Sequence, residues 1–333
     1  MGLANVVICL NYRCVGLFDS VSDISAEMKA IVHPSQSPAQ VEAERAECIR
    51  QRSISAKFHY ETDRQAALWL KLHEHYASAG AMAQPYAEAA KVLASSWPHS
   101  DGTLIALGCG GGEKDISILK ALPKGTRFVP TDVSKPLVLK AAQTALEVNP
   151  SSAITPLVFD MATADDLPEF IDQHAGPNRI YTFFGIIPNF PPRVILPRLR
   201  MLLHHEDRLL LSANLAPDGT VPILPQYDND TTREWLAEFP KAYGAGQGDV
   251  TITIETDDHL QRIAAHYHFQ EPCVMKANGE CFEFGPDDSL QLFVSYRYTL
   301  KSLTDTLEPH GIAIENTFLN TNGEEGVFLC GLQ

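Results

Sequence analysis

The sequence predicts an α/β protein: a Rossmann-like, doubly wound parallel sheet that carries a second, α+β unit. Three observations predict it. Between Thr103 and Leu215, apolar runs of strand length alternate with helical stretches. A glycine-rich bend, "GCGGG" at Gly108–Gly112, follows the first of those runs. After "NLAPDGTVP" (Asn214–Pro222) the alternation gives way to strands and turns.

The elements follow in order. "AQVEAERAECIRQR" (Ala39–Arg52) has helical spacing and alternating charge, which predicts an exposed helix. "KFHYETDRQAALWLKLHEHYA" (Lys57–Ala77) predicts a helix after an extended lead-in, and "AQPYAEAAKVLASSWP" (Ala83–Pro98) a helix stopped by Pro98. Strands are expected at Thr103–Leu107, Arg127–Thr131, Ile154–Phe159, Arg179–Phe184 and Arg208–Leu215. Helices are expected between them at Glu113–Ala121, Lys135–Asn149, Asp165–Gln173 and Arg193–Leu203. The strand spacing of roughly 25 to 30 residues suits βαβ units and a sheet covered on both faces. Gln226–Phe239 predicts a loop and then a helix, with Asp230 or Thr231 as N-cap and Glu234 as capping-box partner. "DVTITIETD" alternates as a strand. The stretch from His266 predicts antiparallel strands turning near Asn278-Gly279 and Pro286-Asp287. Leu300–Ile312 predicts a helix ended near Pro309 and Gly311, and "GVFLCGL" a closing strand. The expected organisation is an N-terminal helical part at 1–80, a nucleotide-type core at 81–218, an inserted unit at 219–299 and a return to the core sheet at 300–333.

Charge narrows the partners. The 333 residues hold 26 Lys and Arg against 41 Asp and Glu, a formal net charge of −15. Such a surface repels phosphate backbones and anionic lipid, so nucleic acid and membranes are not expected partners. A small molecule is, on a monomer or homodimer. The seven cysteines form no CxxC, which fits reduced thiols in a cytoplasmic protein. Val6–Leu10 is too short for a signal core, and Val6 stands where myristoylation requires Ser or Thr.

The glycines point to a ligand. Strand, glycine bend and helix together let backbone approach a nucleotide closely. A dinucleotide fingerprint needs a third glycine where this chain has Glu113, and that acid stands where a pyrophosphate would sit. S-adenosylmethionine has no phosphate and bears a sulfonium, so it suits the bend better. Gly108 and Gly110 would line it, Lys114 would pair with its carboxylate, and Asp132 at the second strand end would accept from its ribose hydroxyls. Asp160, ending the next strand, would accept from its adenine amino group. Cys109 reads as a small packing residue. His73-x-His75 and His266-x-His268 are the dense histidine pairs; spacing two on a helix points the first pair to different faces, and no cluster with ligand spacing is evident, so no metal is expected.

From about Lys57 onward the chain resembles the histidine-specific methyltransferase family, whose members trimethylate histidine on the ergothioneine route or, in fungi, methylate prenylated tryptophan. The matching stretches are "KFHYETDRQAAL", "LHEHY", "LGCGGGEKD", "TDVS", "FFGIIPNF", "LLLSANLAPDG", "YDND" and "LFVSYRYTLKSLTDTLEPHGI". The resemblance implies a class I S-adenosylmethionine methyltransferase core with a substrate domain built from the N-terminal segment and a late insertion. It places the amino-acid-binding Asn on Asn189, its Tyr partner on Tyr227, the lead-in Tyr on Tyr60 and a late-strand Ser on Ser295. Two positions depart. The Glu that holds imidazole in the histidine enzymes is Phe293 here, and a Tyr-Tyr pair is His75-Tyr76. An imidazole N–H buried without its acceptor costs on the order of 1–3 kcal/mol, so histidine is disfavoured and a larger or less polar side group fits better; if Phe293 is plain core, a different residue, such as Glu283, reads the substrate.

The expected activity is N-methylation of a small amino acid-like or aromatic amine. Tyr60 or His75 would position or relay the amine proton, and Asn189 and Tyr227 would hold the head group. Three alternatives stand beside it: histidine Nα-methylation, a nicotinamide-dependent oxidoreductase on the same sheet, and a non-catalytic binder of S-adenosylmethionine.

Overall fold

The computed structural model describes residues 28–60, 64, 65, 67, 68 and 83–333. An eight-stranded sheet has the order β1-β4-β3-β2-β5-β6-β13-β12. β2 (Thr103–Leu107), β3 (Arg127–Asp132), β5 (Arg179–Phe184) and β6 (Arg208–Asn214) run parallel at its centre. β4 (Leu157–Val158) and β1 (Ile31–Val32) extend it on one side, also parallel. On the other side β13 (Glu325–Leu332) pairs antiparallel with both β6 and β12 (Ile312–Leu319).

The central strands are buried on both faces, which is why they read as unbroken apolar runs. Alternation sends Ile105 and Leu107 into one core and Leu104 and Ala106 into the other. The first core is covered by α5 (Leu167–His174), α6 (Pro192–Leu202) and α8 (Leu300–Leu307); the second is covered by α2 (Ala83–Ser96), α3 (Glu113–Ala121) and α4 (Lys135–Val148). The doubly wound expectation holds.

Two smaller antiparallel sheets follow the core strands. β7 (Gly248–Asp257), β8 (Leu260–Phe269) and β11 (Ser289–Arg297) form one, in the order β11-β8-β7. β9 (Cys273–Ala277) and β10 (Glu280–Phe284) form a hairpin whose turn residues Asn278 and Gly279 have φ of 49° and 74°, both in the left-handed region that a two-residue turn of this kind needs. With α1 (Pro38–Arg50) and α7 (Asp230–Ala242) they enclose a third core around Trp235, Phe239 and Phe269.

Three local expectations change. The N-cap of α7 is Asn229, extended at φ −141°, and its side chain accepts the Thr232 N–H at 3.0 Å. Asp230 is already helical, and Glu234 faces out to Arg64. The helix expected over Leu300–Ile312 stops at Leu307, and a one-turn 3-10 helix and Gly311 at φ +67° lead into β12, a strand absent from the sequence reading. β4 is also shorter than the strand expected at Ile154–Phe159. Most of the helix expected at Lys57–Ala77, including His75 and Tyr76, lies outside the described residues; its start is a short 3-10 turn, Ala56–His59.

Candidate active site

The parallel strands all end on one edge, and the order reverses between β2 and β5, the switch point beyond whose carboxyl ends such sheets bind ligands. The glycine bend leaves β2 there. Gly108 has φ +64°, and a Cβ on it would meet Ile186 Cδ1 at 2.6 Å. Gly112, at φ +82°, caps α3, and its Cβ would meet Ala141 Cβ at 2.7 Å. Backbone is therefore all that fits. Between them the Gly110 N–H donates to Asp132 Oδ2 at 3.0 Å, while Ser134 N–H donates to Oδ1 at 2.9 Å. Two backbone donors fix the plane of this buried carboxylate against the bend. A bare-backbone cradle beside a fixed carboxylate at a strand end fits a nucleoside.

The other two residues expected at the cofactor, Lys114 and Asp160, have protein partners. Lys114 Nζ donates to Tyr86 Oη at 2.7 Å and lies 3.3 Å from Glu325 Oε1, and Tyr86 donates to the same oxygen at 2.6 Å. Asp160 sits just past β4. Its Oδ1 accepts the Ala162 N–H at 2.8 Å, and its Oδ2 lies 2.6 Å from Lys57 Nζ, which also reaches Glu44 at 2.6 Å. Burial, then the neighbouring Asp160, raises the Glu44 carboxyl above its ordinary range. Sequence reasoning missed Glu325, Tyr86 and Lys57 as partners.

The residues expected on the acceptor side come from several separate elements. Phe293, Ser295 and Arg297 alternate onto one face of β11. That face meets Tyr227, which ends a short helical turn (Leu224–Tyr227). The Tyr227 and Phe293 rings stack at 6.0 Å and 28°, Tyr227 Oη is 3.4 Å from Ser295 Oγ, and Arg297 Nη2 donates to Tyr227 Oη. Trp235 of α7 closes the wall, 6.3 Å from Phe293 and 5.5 Å from Tyr60. Asn189 ends the 3-10 turn that follows β5 (Ile187–Asn189), and β11 packs on that turn; its side-chain amide donates to Gly185 O at 3.2 Å. Burial pushes the Tyr60 hydroxyl well above its ordinary range, so it stays neutral. Glu283 is exposed on the β9–β10 hairpin.

His59 was also missed. It is fully buried; its Nε2 is 2.6 Å from Leu292 O, and its own carbonyl accepts the Trp235 indole N–H at 3.0 Å. Burial lowers its imidazole to about 4. Cys109 is buried and its thiol is pushed well up by burial, in keeping with packing. Among the described residues, no helix is long and apolar enough to cross a membrane.

The doubly wound sheet with its antiparallel β13 and the glycine bend after β2 give the chain the architecture of a class I S-adenosylmethionine-dependent methyltransferase. More narrowly, the chain belongs to the histidine-specific, S-adenosylmethionine-dependent methyltransferase family, whose model matches residues 50–332. Its cofactor is S-adenosylmethionine. Comparison with curated proteins returned no match. Solved structures similar to the chain include an S-adenosylmethionine-dependent methyltransferase from Clostridium acetobutylicum, at 10% identity over 81% of this chain and 98% of that one, with a TM-score of 0.42. The mitomycin 7-O-methyltransferase MmcR aligns at 13% identity over 90% and 70% of the two chains, with a TM-score of 0.48. The CcbJ methyltransferase from Streptomyces caelestis aligns at 12% identity over 75% and 96%, with a TM-score of 0.40.

Proposed function

We propose that this enzyme methylates the amino group of a small amino acid-like or aromatic amine, and that histidine is not its acceptor. The observation that carries the reading is the Tyr227–Phe293 stack: an apolar ring stands where the histidine enzymes hold a carboxylate. Trp235 beside it makes the wall aromatic on two sides, which suits a larger, less polar side group.

S-adenosylmethionine supplies the electrophilic methyl group. In this reading Gly108 and Gly110 line it, Asp132 accepts from its ribose, Lys114 faces its carboxylate and Asp160 its adenine. Asn189, Tyr227 and Ser295 hold the head group of the acceptor so that its nitrogen faces the methyl. The amine must be neutral to react. Tyr60, held neutral by burial, serves as a hydrogen-bond partner that orients the nitrogen, and His75 is the second candidate for receiving its proton. The division of labour we propose gives the cofactor to residues 81–218 and 300–333, and the acceptor to 219–299 with the N-terminal 1–80. The separate β11-β8-β7 sheet supports that division.

The test is product mass. The enzyme is incubated with S-adenosylmethionine and a panel of aromatic amino acids, their N-methyl derivatives, aromatic amines and histidine. An aromatic acceptor that gains methyl mass while histidine does not supports the reading. Histidine as the best acceptor overturns it, and so does a panel in which nothing is methylated.

A further inference from the structure

Arg297 is the cation of the β11 face and is only 6% exposed. Its Nη2 donates to Tyr227 Oη, and its Cζ lies 5.0 Å from the centre of that ring. Among the described residues no carboxylate forms an ion pair with it, and its Nε–H is buried without a hydrogen-bond partner. The nearby Glu324 side chain bonds Gln226 and Asn322 instead. Buried guanidinium groups are normally matched by a carboxylate, because an unmatched one keeps the cost of leaving water. Lys57, Lys114 and Arg262 each have such a partner in this fold. Arg297 is different, and it stands in the acceptor wall, one strand alternation from Ser295 and two from Phe293.

We infer that Arg297 reads a carboxylate on the methyl acceptor. The planar fork of the guanidinium matches the two oxygens of a carboxylate, and the Tyr227 and Ser295 hydroxyls beside it are further donors to the same group. The inference rests on the amine-acceptor reading above and narrows it: the acceptor joins an aromatic side group, against Phe293 and Trp235, to an anionic head beside Arg297. Arg297 is a specificity-determining residue that separates an amino acid from the amide or amine with the same side chain.

The test is calorimetry on protein saturated with S-adenosylhomocysteine. The probes are L-tryptophan, L-tyrosine and L-phenylalanine, each against its carboxamide. The wild type binds the acids at least about tenfold more tightly than the amides, as expected for a charge-assisted pair. Arg297→Gln weakens the acids about 10- to 100-fold more than the amides and erases the preference; Arg297→Lys restores part of it. Unchanged affinity of Arg297→Gln for S-adenosylhomocysteine reports an intact fold. Equal binding of acid and amide by the wild type overturns the inference, as does a preference that survives Arg297→Gln or the failure of every acid to bind. Methyl transfer to an amide or amine, without any acid preference, would sink the inference and leave the amine reading standing. No transfer across the wider panel of amines would sink the reading itself.

Discussion

Lys57 Nζ lies 2.6 Å from Asp160 Oδ2 and 2.6 Å from Glu44 Oε2, so one ammonium ties the lead-in to Tyr60, helix α1 and the end of β4 together. All three side chains are at most 14% exposed. Replacing the lysine by methionine leaves two carboxylates facing each other in a buried place. Lys57→Met is expected to cost about 3–5 kcal/mol at neutral pH. The deficit shrinks as the pH falls and one carboxyl takes up a proton. Denaturant melts across pH check both the size and the sign.

Asp132 couples the glycine bend to the second strand through Gly110. Asp132→Asn keeps the size, but one oxygen becomes a donor that the Gly110 or Ser134 N–H opposes. S-adenosylhomocysteine is expected to bind about 10- to 100-fold more weakly, read by calorimetry. Unaltered affinity would remove Asp132 from the cofactor site.

Two glycines separate backbone strain from crowding. Gly219 has φ +85° with nothing within 4 Å of a Cβ, whereas Gly108 has φ +64° with Ile186 Cδ1 at 2.6 Å. Gly219→Ala should cost about 1–2 kcal/mol, the penalty of the left-handed conformation alone. Gly108→Ala should cost more and also weaken cofactor binding. Chemical denaturation with and without S-adenosylhomocysteine compares them.

Phe293 decides the side group in the proposed reading. Phe293→Glu is expected to raise the kcat/KM for histidine about tenfold or more over Phe293→Gln, since only the carboxylate accepts an imidazole N–H with charge assistance. Both variants remove the ring that stacks on Tyr227, so both lose turnover of aromatic acceptors.

Two buried groups give opposing pH dependence. Burial raises the Asp115 carboxyl from 3.8 to about 7, so the native state holds that proton more tightly. Its contribution to stability is full below the ordinary carboxylate range and is lost as pH rises through about 7. Burial lowers His59 from 6.5 to about 4, so its contribution is full above 6.5 and is lost as pH falls toward 4. The two slopes oppose each other between about pH 4 and 6.5. Asp115→Asn should therefore leave a stability that climbs with pH across that window, and His59→Gln one that declines. Each change is on the order of a few kcal/mol, read from denaturant melts.

What the sequence discloses follows from how local each signal is. β2, β5 and β6 are buried on both faces, so their apolar runs mark them unaided. The bend and Asp132 are legible because a βαβ unit fixes their spacing. β1 is two residues long and shows no periodicity. In "YDND" three successive residues have side chains that can cap, and only the backbone selects Asn229. β12 was hidden behind a helix that ends sooner than its apolar pattern. The charge partners are the least legible. Lys114 meets Glu325, and Arg297 meets Tyr227, across separations for which one sequence carries no mark. Phe293 lay between: alternation gave its face, and the family resemblance gave its meaning.

β13 wedges antiparallel between β6 and β12, pairing Asn214 with Glu325. During synthesis on the ribosome, β6 therefore emerges well before its neighbour exists and presents an open apolar edge throughout the wait. The same strand brings Glu325 to Lys114, so the surroundings of the glycine bend take their finished shape only when that late segment slots home. A nascent chain stalled before it would hold the bend and Asp132 without the clasp beside them.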